Sequence, residues 1–312
     1  MKKQPIDISI VFGGGNDDLI IKCLESIEEN YRGAAEICVV SNLGSLCIQK
    51  TIKKRWPNVR LIVNREVKGF AANHNQVIRI TSNPYVLILN DDTEILEGSL
   101  EKLINYLDRN PAAAAVSPKL LNPDGSLQQS TYGFPNLFTA LVNFSGIRNL
   151  IPFNKVTCRV LRPFMGAGKS RFWNHDKTCV VDTIRGACVL MRRKAIDEVG
   201  LMDEICKAYG EETEWHCRLK NARWKIVFLH DAPIIHYGQQ TTSRQPIREE
   251  QAKGLLNFFK KHKSGLDYRL FQIAAALISF ARGCFYLLFL KKNNAKYNFK
   301  IMKTLLMFDK KM

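Results

Sequence analysis

At 312 residues, the chain is long enough for one large domain with a substantial core, or for one domain plus an appendage. Its 46% hydrophobic and 24% charged content is ordinary for a globular protein, but its formal net charge of +17 is not, and favours polyanionic partners: nucleic acid, anionic lipid or phosphorylated ligands. Nine cysteines, an odd number without a C-x-x-C pair, argue against a zinc or disulfide framework and for a reducing compartment.

The start, Met1 to Asp7, is polar and lacks the apolar segment of a signal peptide. Ile8 to Phe12 is a short apolar run that leads into Gly13-Gly14-Gly15-Asn16. A helical pattern follows with Leu19, Ile20, Cys23, Leu24 and Ile27 on one face, and Asp17 or Asp18 can cap it. Ile37 to Val40 is a second strand, closed by Ser41-Asn42, and Leu61 to Val63 a third. Phe70 to Ile80 reads as a helix, Tyr85 to Leu89 as a strand ending at Asn90-Asp91-Asp92, and Leu100 to Leu107 as a helix. Apolar strands alternating with amphipathic helices predict an α/β fold with a mainly parallel sheet covered on both faces. In such sheets ligands bind beyond the carboxyl ends of the strands, where these polar turns lie.

Asn122 to Lys177 is rich in Pro, Gly, Asn and Phe and reads as loops over the site, with a long flexible stretch near Ile151 to Lys177. Strand character returns at Thr183 to Met191; a helix is expected over Glu212 to Asn221, then strands at Ile226 to Leu229 and Ile234 to His236. Glu249 to Lys263 looks helical. Leu270 to Leu290 is nearly continuous apolar sequence of about membrane-span length, closed by Lys291-Lys292. Arg282 near its centre would be costly in hydrocarbon, which favours an interfacial or hairpin-like helix; a buried helix or dimer contact is the alternative. From Arg269 onward nine Lys/Arg stand against one acid, Asp309. We therefore divide the chain into a domain over 1–245 and a basic, apolar helical extension over 246–312.

Four features carry chemistry. Asn90-Asp91-Asp92-Thr93 at a strand end can hold a hard divalent cation, or can be a turn with Asp capping a helix. Glu211, Glu212 and Glu214 begin a helix, where they suit its dipole and where one of them can serve as a general base. His236 follows an apolar strand and can be structural or a metal ligand. Asn64 to Asn75, NREVKGFAANHN, offers Lys68 for a phosphate, Gly69 for close backbone approach, and Asn73 and Asn75 as amide partners. No H-x-x-x-H pair exists, which argues against a zinc hydrolase.

In order along the chain, SIVFGGGN with CLESI, NREVKGFAANHN, YVLILNDDT, LLNPDGSLQQS, IRGACVLMRRKAIDEVGLMDE, YGEETEWHCRL and IIHYG resemble the family 2 inverting glycosyltransferases of GT-A fold, particularly the rhamnosyltransferase-like members. The resemblance runs from about Ile8 to Gly238. It implies a Rossmann-like nucleotide-binding half and a metal cofactor, Mg²⁺ or Mn²⁺, held by Asp92 with Asp91 beside it and completed by His236. It places Glu212 as general base with Glu211 its partner. Gly13, Gly14, Asn16, Ser41, Asn42, Lys68, Gly69, Asn73 and Asn75 fall at donor-binding positions, and Gly186, Ala187 and Trp215 at the sugar or acceptor pocket. Three positions depart from the family pattern: Gly14-Gly15-Asn16 stands for Thr-Tyr-Asn, Ser41 for the aspartate that contacts the base, and Glu-Glu for Glu-Asp.

The implied donor is a nucleoside-diphosphate sugar, with deoxythymidine-diphosphate rhamnose suggested by the family alone. The implied acceptor is a saccharide or a lipid-linked oligosaccharide of a surface polysaccharide. The basic, apolar extension predicts an anionic membrane partner at the cytoplasmic face, peripheral or tail-anchored. Two rivals fare worse. A dinucleotide oxidoreductase would need glycine at Asp18 to complete G-x-G-x-x-G. A nucleic-acid binder would place its basic residues among stacking aromatics, so no nucleic acid partner is expected. A catalytically degenerate, binding-only transferase is the remaining alternative.

Overall fold

The computed structural model describes residues 4–42, 44–146, 175–205, 208–238 and 244–310. In chain order the elements begin β1 (Ile6–Phe12), α1 (Asp17–Asn30), β2 (Ala35–Ser41), α2 (Leu46–Arg55), β3 (Arg60–Val63), α3 (Phe70–Ile80), β4 (Tyr85–Asn90), β5 (Thr93–Ile95) and α4 (Ser99–Arg109). They continue with β6 (Ala113–Leu121), β7 (Leu127–Gln128), β8 (Thr131–Tyr132), α5 (Leu137–Ser145), β9 (Cys179–Val181), β10 (Thr183–Ile184), β11 (Cys188–Arg192) and α6 (Arg193–Val199). The last are α7 (Glu211–Asn221), β12 (Lys225–His236), α8 (Arg244–His262), α9 (Gly265–Leu288) and α10 (Lys292–Leu306), with a 3-10 turn at Phe308–Lys310.

One large sheet runs in the order β3-β2-β1-β4-β11-β6-β12-β5, with β7 beside β6 and β9 beside β12. Strands β1 to β4, β6 and β12 point the same way, and β11 enters antiparallel between β4 and β6. The sheet is therefore mainly parallel, as the sequence predicts. Alternation along each strand feeds two cores. Ile6, Ile8 and Ile10 of β1 face α1, α2 and α4; Val86 and Ile88 of β4 face the opposite way, towards α3, α6 and α7. In α4, Leu100, Leu103, Ile104 and Leu107 form the buried helical stripe.

Several local expectations change. Asn16, rather than Asp17 or Asp18, caps α1: its side chain accepts from the Asp18 N–H, while both aspartates sit in the first turn. The two short strands expected at 226–229 and 234–236 are one strand, β12, with an irregularity between Phe228 and Pro233. The stretch expected to be loops over the site contains β7, β8 and α5, and residues 147–174 of it lie outside the described residues. The C-terminal extension does not trail free. Phe258 and Phe259 of α8, Phe271 of α9 and Leu305 of α10 build a third core, which Ala140 of α5 and Cys217 of α7 join.

A buried ion pair fastens the strand that begins the sheet. The Asp7 carboxylate, fully buried in β1, takes a bond from Arg193 Nη2 at 2.7 Å and from the Asn83 amide and backbone N–H. The same guanidinium donates to Ile78 O and Thr81 Oγ1, so β1, the end of α3 and the start of α6 share one node. Removing the arginine would leave a buried charge without its counter-ion. The Arg193→Met protein is expected to lose about 3 kcal/mol of stability in urea denaturation; a loss under about 1 kcal/mol would show that the node is not structural.

Candidate functional site

The carboxyl end of β1 opens into the glycine turn. Gly14 (φ 77°) and Gly15 (φ 143°) occupy backbone conformations that side chains disfavour, and a Cβ on Gly13 would meet nothing within 4 Å. The turn thus presents bare backbone beside open space. The polar residues next to it are largely committed to one another. Asn42 Oδ1 accepts from the Lys68 N–H at 2.9 Å and from Asn64 Nδ2 at 3.0 Å, while Asn42 Nδ2 and Asn73 Nδ2 both donate to Lys68 O. Asn73 Oδ1 accepts from Asn64 Nδ2 at 2.7 Å. Ser41 Oγ accepts from Gln49 Nε2 at 3.2 Å. Asn75 faces inward, fully buried, with bonds to Met202 and Glu204.

Asn73 thus shapes the loop before α3, and Asn75 ties α3 to Met202 and Glu204, so both amides expected at the donor are already bonded within the fold. Asn16 likewise spends its side chain on the α1 cap. Gly69 is the N-cap of α3 at φ −74°, an ordinary conformation. The Lys68 ammonium donates to Gln76 Oε1 at 3.4 Å, a long bond that leaves it a charge to offer to a phosphate.

Next to the turn stand the aspartates after β4. Asp91 Oδ2 accepts from the Gly13 N–H at 3.3 Å. Burial, and then the charge of Asp92, pushes the Asp91 carboxyl up to about 7. Pairing of β12 with β5 sets His236 opposite Thr93, and the Tyr237 N–H donates to Asp92 O. His236 Nε2 thereby lies 3.3 Å from Asp92 Oδ1, an oxygen that is buried and has no hydrogen-bond partner. Gln128 Oε1, 2.5 Å from His236 Nδ1, accepts its proton and leaves Nε2 with its lone pair towards Asp92.

Two buried carboxylates without a Lys or Arg partner among the described residues, an orphaned oxygen and a histidine of fixed tautomer fit a hard divalent cation. No group of three His, Cys, Asp or Glu among the described residues is close enough to hold an ion by itself. The remaining positions would belong to water and ligand oxygens, the usual condition of Mg²⁺ beside phosphates. Gln128 escaped the sequence reading. It lies 108 positions from His236, and no spacing rule links them.

The acidic helix start lies across β11. Tyr209 (φ 71°) and Gly210 (φ 107°) turn the chain into α7. Glu212 Oε1 accepts from the Gly186 N–H at 3.2 Å. Burial raises its pKa above the ordinary carboxylate value. Glu211 is buried with Oε2 unpartnered; burial and the Glu212 charge hold its pKa well above 4.5. Glu214, by contrast, is structural, bound by Arg218 and His262. Helix α8 braces the turn at very short range: a Cβ on Gly254 would come 2.0 Å from Tyr209 O.

Of the three expected pocket residues, Gly186 and Trp215 line a small cleft with Glu212, Phe70 and His216. Trp215 is nevertheless almost wholly buried, its indole N–H bonded to Gly200 O, so it supports the cleft wall. Ala187 is buried in the sheet, where its carbonyl accepts from the Asn90 N–H. His216 was missed. It follows Glu212 by one helical turn, bonds Thr183 Oγ1 at 2.8 Å, and burial lowers its pKa to about 3, so it is neutral.

The raised Glu211 pKa has a stability consequence. A folded-state pKa above the unfolded value favours the fold at pH below the unfolded value and disfavours it as pH rises through the folded one. Glu211→Gln is therefore expected to raise the melting temperature at pH 8 by about 2 °C or more, with the gain shrinking towards pH 4. An equal or lower melting temperature at pH 8 would contradict the burial of a charged Glu211.

Comparison with known proteins gives this geometry a family. Residues 15–200, more than half of the chain, match the family described as Glycosyl transferase family 2. The chain is 26% identical over 211 residues to an N-acetylglucosaminyl-diphospho-decaprenol L-rhamnosyltransferase of Mycobacterium tuberculosis, covering 62% of this chain and 63% of that protein. It thus spans slightly under two thirds of that relative. It is 24% identical over 218 residues to the O-antigen biosynthesis protein RfbC of Myxococcus xanthus, covering 69% of this chain and 16% of that protein. Among solved structures it is similar in fold to GalNAc-T7 with UDP, GalNAc and Mn²⁺ (TM-score 0.60, 13% identity, 83% of this chain and 48% of that one). It is also similar to the mannosyltransferase PcManGT of Pyrobaculum calidifontis with GDP-Man and Mn²⁺ (TM-score 0.55, 14% identity, 98% of this chain and 74% of that one). With an antiparallel strand set into a mainly parallel sheet and acidic groups at its strand ends, the chain has the GT-A fold and belongs to glycosyl transferase family 2.

Proposed function

We propose that this protein moves a sugar from a nucleoside-diphosphate donor to a hydroxyl of a saccharide or lipid-linked acceptor, with inversion at the anomeric carbon. The observation that carries the reading is the Glu212 carboxylate, fixed by the Gly186 N–H at the cleft and raised in pKa by burial. A carboxylate whose pKa is raised is a stronger base than an ordinary one, which suits it to take a proton from a hydroxyl.

Glu212 takes the proton of the acceptor hydroxyl. That oxygen bonds to the anomeric carbon as the bond from that carbon to the diphosphate breaks, and the nucleoside diphosphate leaves with the electron pair. One displacement gives one inversion, with no covalent enzyme nucleophile. Asp92 and His236 would hold Mg²⁺ or Mn²⁺, with Asp91 alongside. Such an ion supplies neutralisation of the charge that develops on the leaving diphosphate. The bare backbone of Gly13 and Gly14 and the Lys68 ammonium would face the donor.

By the names of the relatives, rhamnose on a lipid-linked amino-sugar is the transfer to try first, as a step in surface polysaccharide synthesis. A polyprenyl-linked acceptor would place the enzyme at the cytoplasmic face of a membrane.

Glu212→Gln is expected to lower transfer by 10²- to 10⁴-fold without lowering the melting temperature. Normal turnover would remove Glu212 from the role. In a thermal-shift panel, one nucleoside diphosphate is expected to stabilise the protein only with Mn²⁺ or Mg²⁺, and Asp92→Ala to abolish that response. A protein that responds to no nucleotide would favour the binding-only alternative.

A further inference from the structure

The C-terminal hairpin has two unlike faces. One side of α9, from Tyr268 to Gly283, is buried against its neighbours. The other carries Leu266, Leu270, Ile273, Leu277, Phe280 and Leu288, each between 45% and 81% exposed. Steps of three, four and eight residues keep these side chains on one stripe, roughly 33 Å long at 1.5 Å per residue. Scattered apolar residues are normal on a protein surface, but a continuous stripe of this length marks an interaction face.

Its border is basic. Helix α10 runs back along α9: Phe299 fits over Gly283, and its ring lies 6.0 Å from that of Phe280. Lys292, Lys296 and Lys303, all exposed, share the helical face of Phe299, so a lysine row flanks the stripe. From Ser264 onward the only acids are Asp267 and Asp309. Asp267 bonds Ser264; Asp309 bonds Lys260 and Arg269.

By length and composition α9 passes as a membrane span. Its side-on attachment opposes that pose. Arg282 Nη1 donates to Phe144 O at 3.0 Å, and Nη2 bonds Ser145 O, so the cation caps the carbonyl end of α5. Gln272 Nε2 donates to Leu305 O at 2.9 Å. Insertion across a bilayer would break these contacts and strand the arginine in hydrocarbon. A helix with one side held by protein and the other apolar is suited to lie along a membrane surface.

We propose that the α9–α10 face docks the protein in the plane of an anionic lipid bilayer, with the α9 stripe in the acyl boundary and the α10 lysines on the headgroups. This assigns the surface and the pose for a membrane-face enzyme, and it does not rest on the transfer chemistry. Charge favours a bilayer over a second copy of the chain, since a two-fold contact through this face would bring lysine rows together.

The test is flotation of the full-length protein with phosphatidylcholine vesicles, with and without phosphatidylglycerol, at low and high salt. Wild type is expected to float with the anionic vesicles, less so at high salt. Ile273→Glu/Leu277→Glu/Phe280→Glu is expected to abolish flotation at an unchanged melting temperature. Lys292→Gln/Lys296→Gln/Lys303→Gln is expected to lower partition to anionic vesicles on the order of 100-fold. Alkaline carbonate is expected to release the protein from cell membranes. Wild type that floats with no vesicle, a stripe variant that floats normally, or resistance to carbonate would overturn the proposal. So would a dimer that the stripe variant converts to monomer without any vesicle binding.

Discussion

Strand β11 runs against β4, with Cys188 opposite Leu89, and this register sets the Asn90 N–H on the Ala187 carbonyl. One residue earlier, the Gly186 N–H is left to bind Glu212. A single antiparallel pairing therefore joins the end of the strand that carries Asp91 and Asp92 to the residue that positions the helix-borne carboxylate. Gly186 must be glycine for this to work, since a Cβ there would lie 2.5 Å from Glu212 Oε1. A slip of one residue would turn the strand's side chains to the other face of the sheet and separate the two halves of the site.

The electrostatics of the two halves differ in kind. Asp91 and Asp92 are buried together without a Lys or Arg partner among the described residues, and the His236 Nε2 lone pair faces Asp92; the pair is stable only with an added cation or a retained proton. Burial pushes Glu211 and Glu212 towards protonation as it does Asp91, but Glu212 stands at the small cleft, held there by the Gly186 N–H. One pair is suited to bind positive charge and the other to exchange a proton, a separation that metal-assisted group transfer requires. The extension takes part in this arrangement through Gly254 of α8, which packs against Tyr209 and Gly210 and holds the turn that starts the helix carrying Glu211 and Glu212.

The alternation of apolar strands and amphipathic helices made the parallel half legible, because each period follows directly from local geometry. Phe70–Ile80 needed no adjustment for that reason. The two acidic motifs and His236 were visible as residue types at element ends. Their partners were not. Gln128 beside His236, Gly186 beside Glu212 and Arg193 beside Asp7 are separated by 108, 26 and 186 positions, and only the sheet order brings them together. The amides of Asn73 and Asn75 looked like ligand contacts, because a sequence does not reveal which polar groups are already satisfied inside the fold. The continuous hydrophobicity of α9 likewise concealed that one face packs and the other is bare, a division that only the position of its neighbours defines.

The central claim is that Glu212 deprotonates an acceptor in a single displacement. Proton NMR of the product tests it most directly, by comparing the anomeric configuration of the transferred sugar with that of the nucleoside-diphosphate donor. The account predicts the opposite configuration in the first product formed. Retention would require a second displacement or a different nucleophile, and would contradict the role given to Glu212.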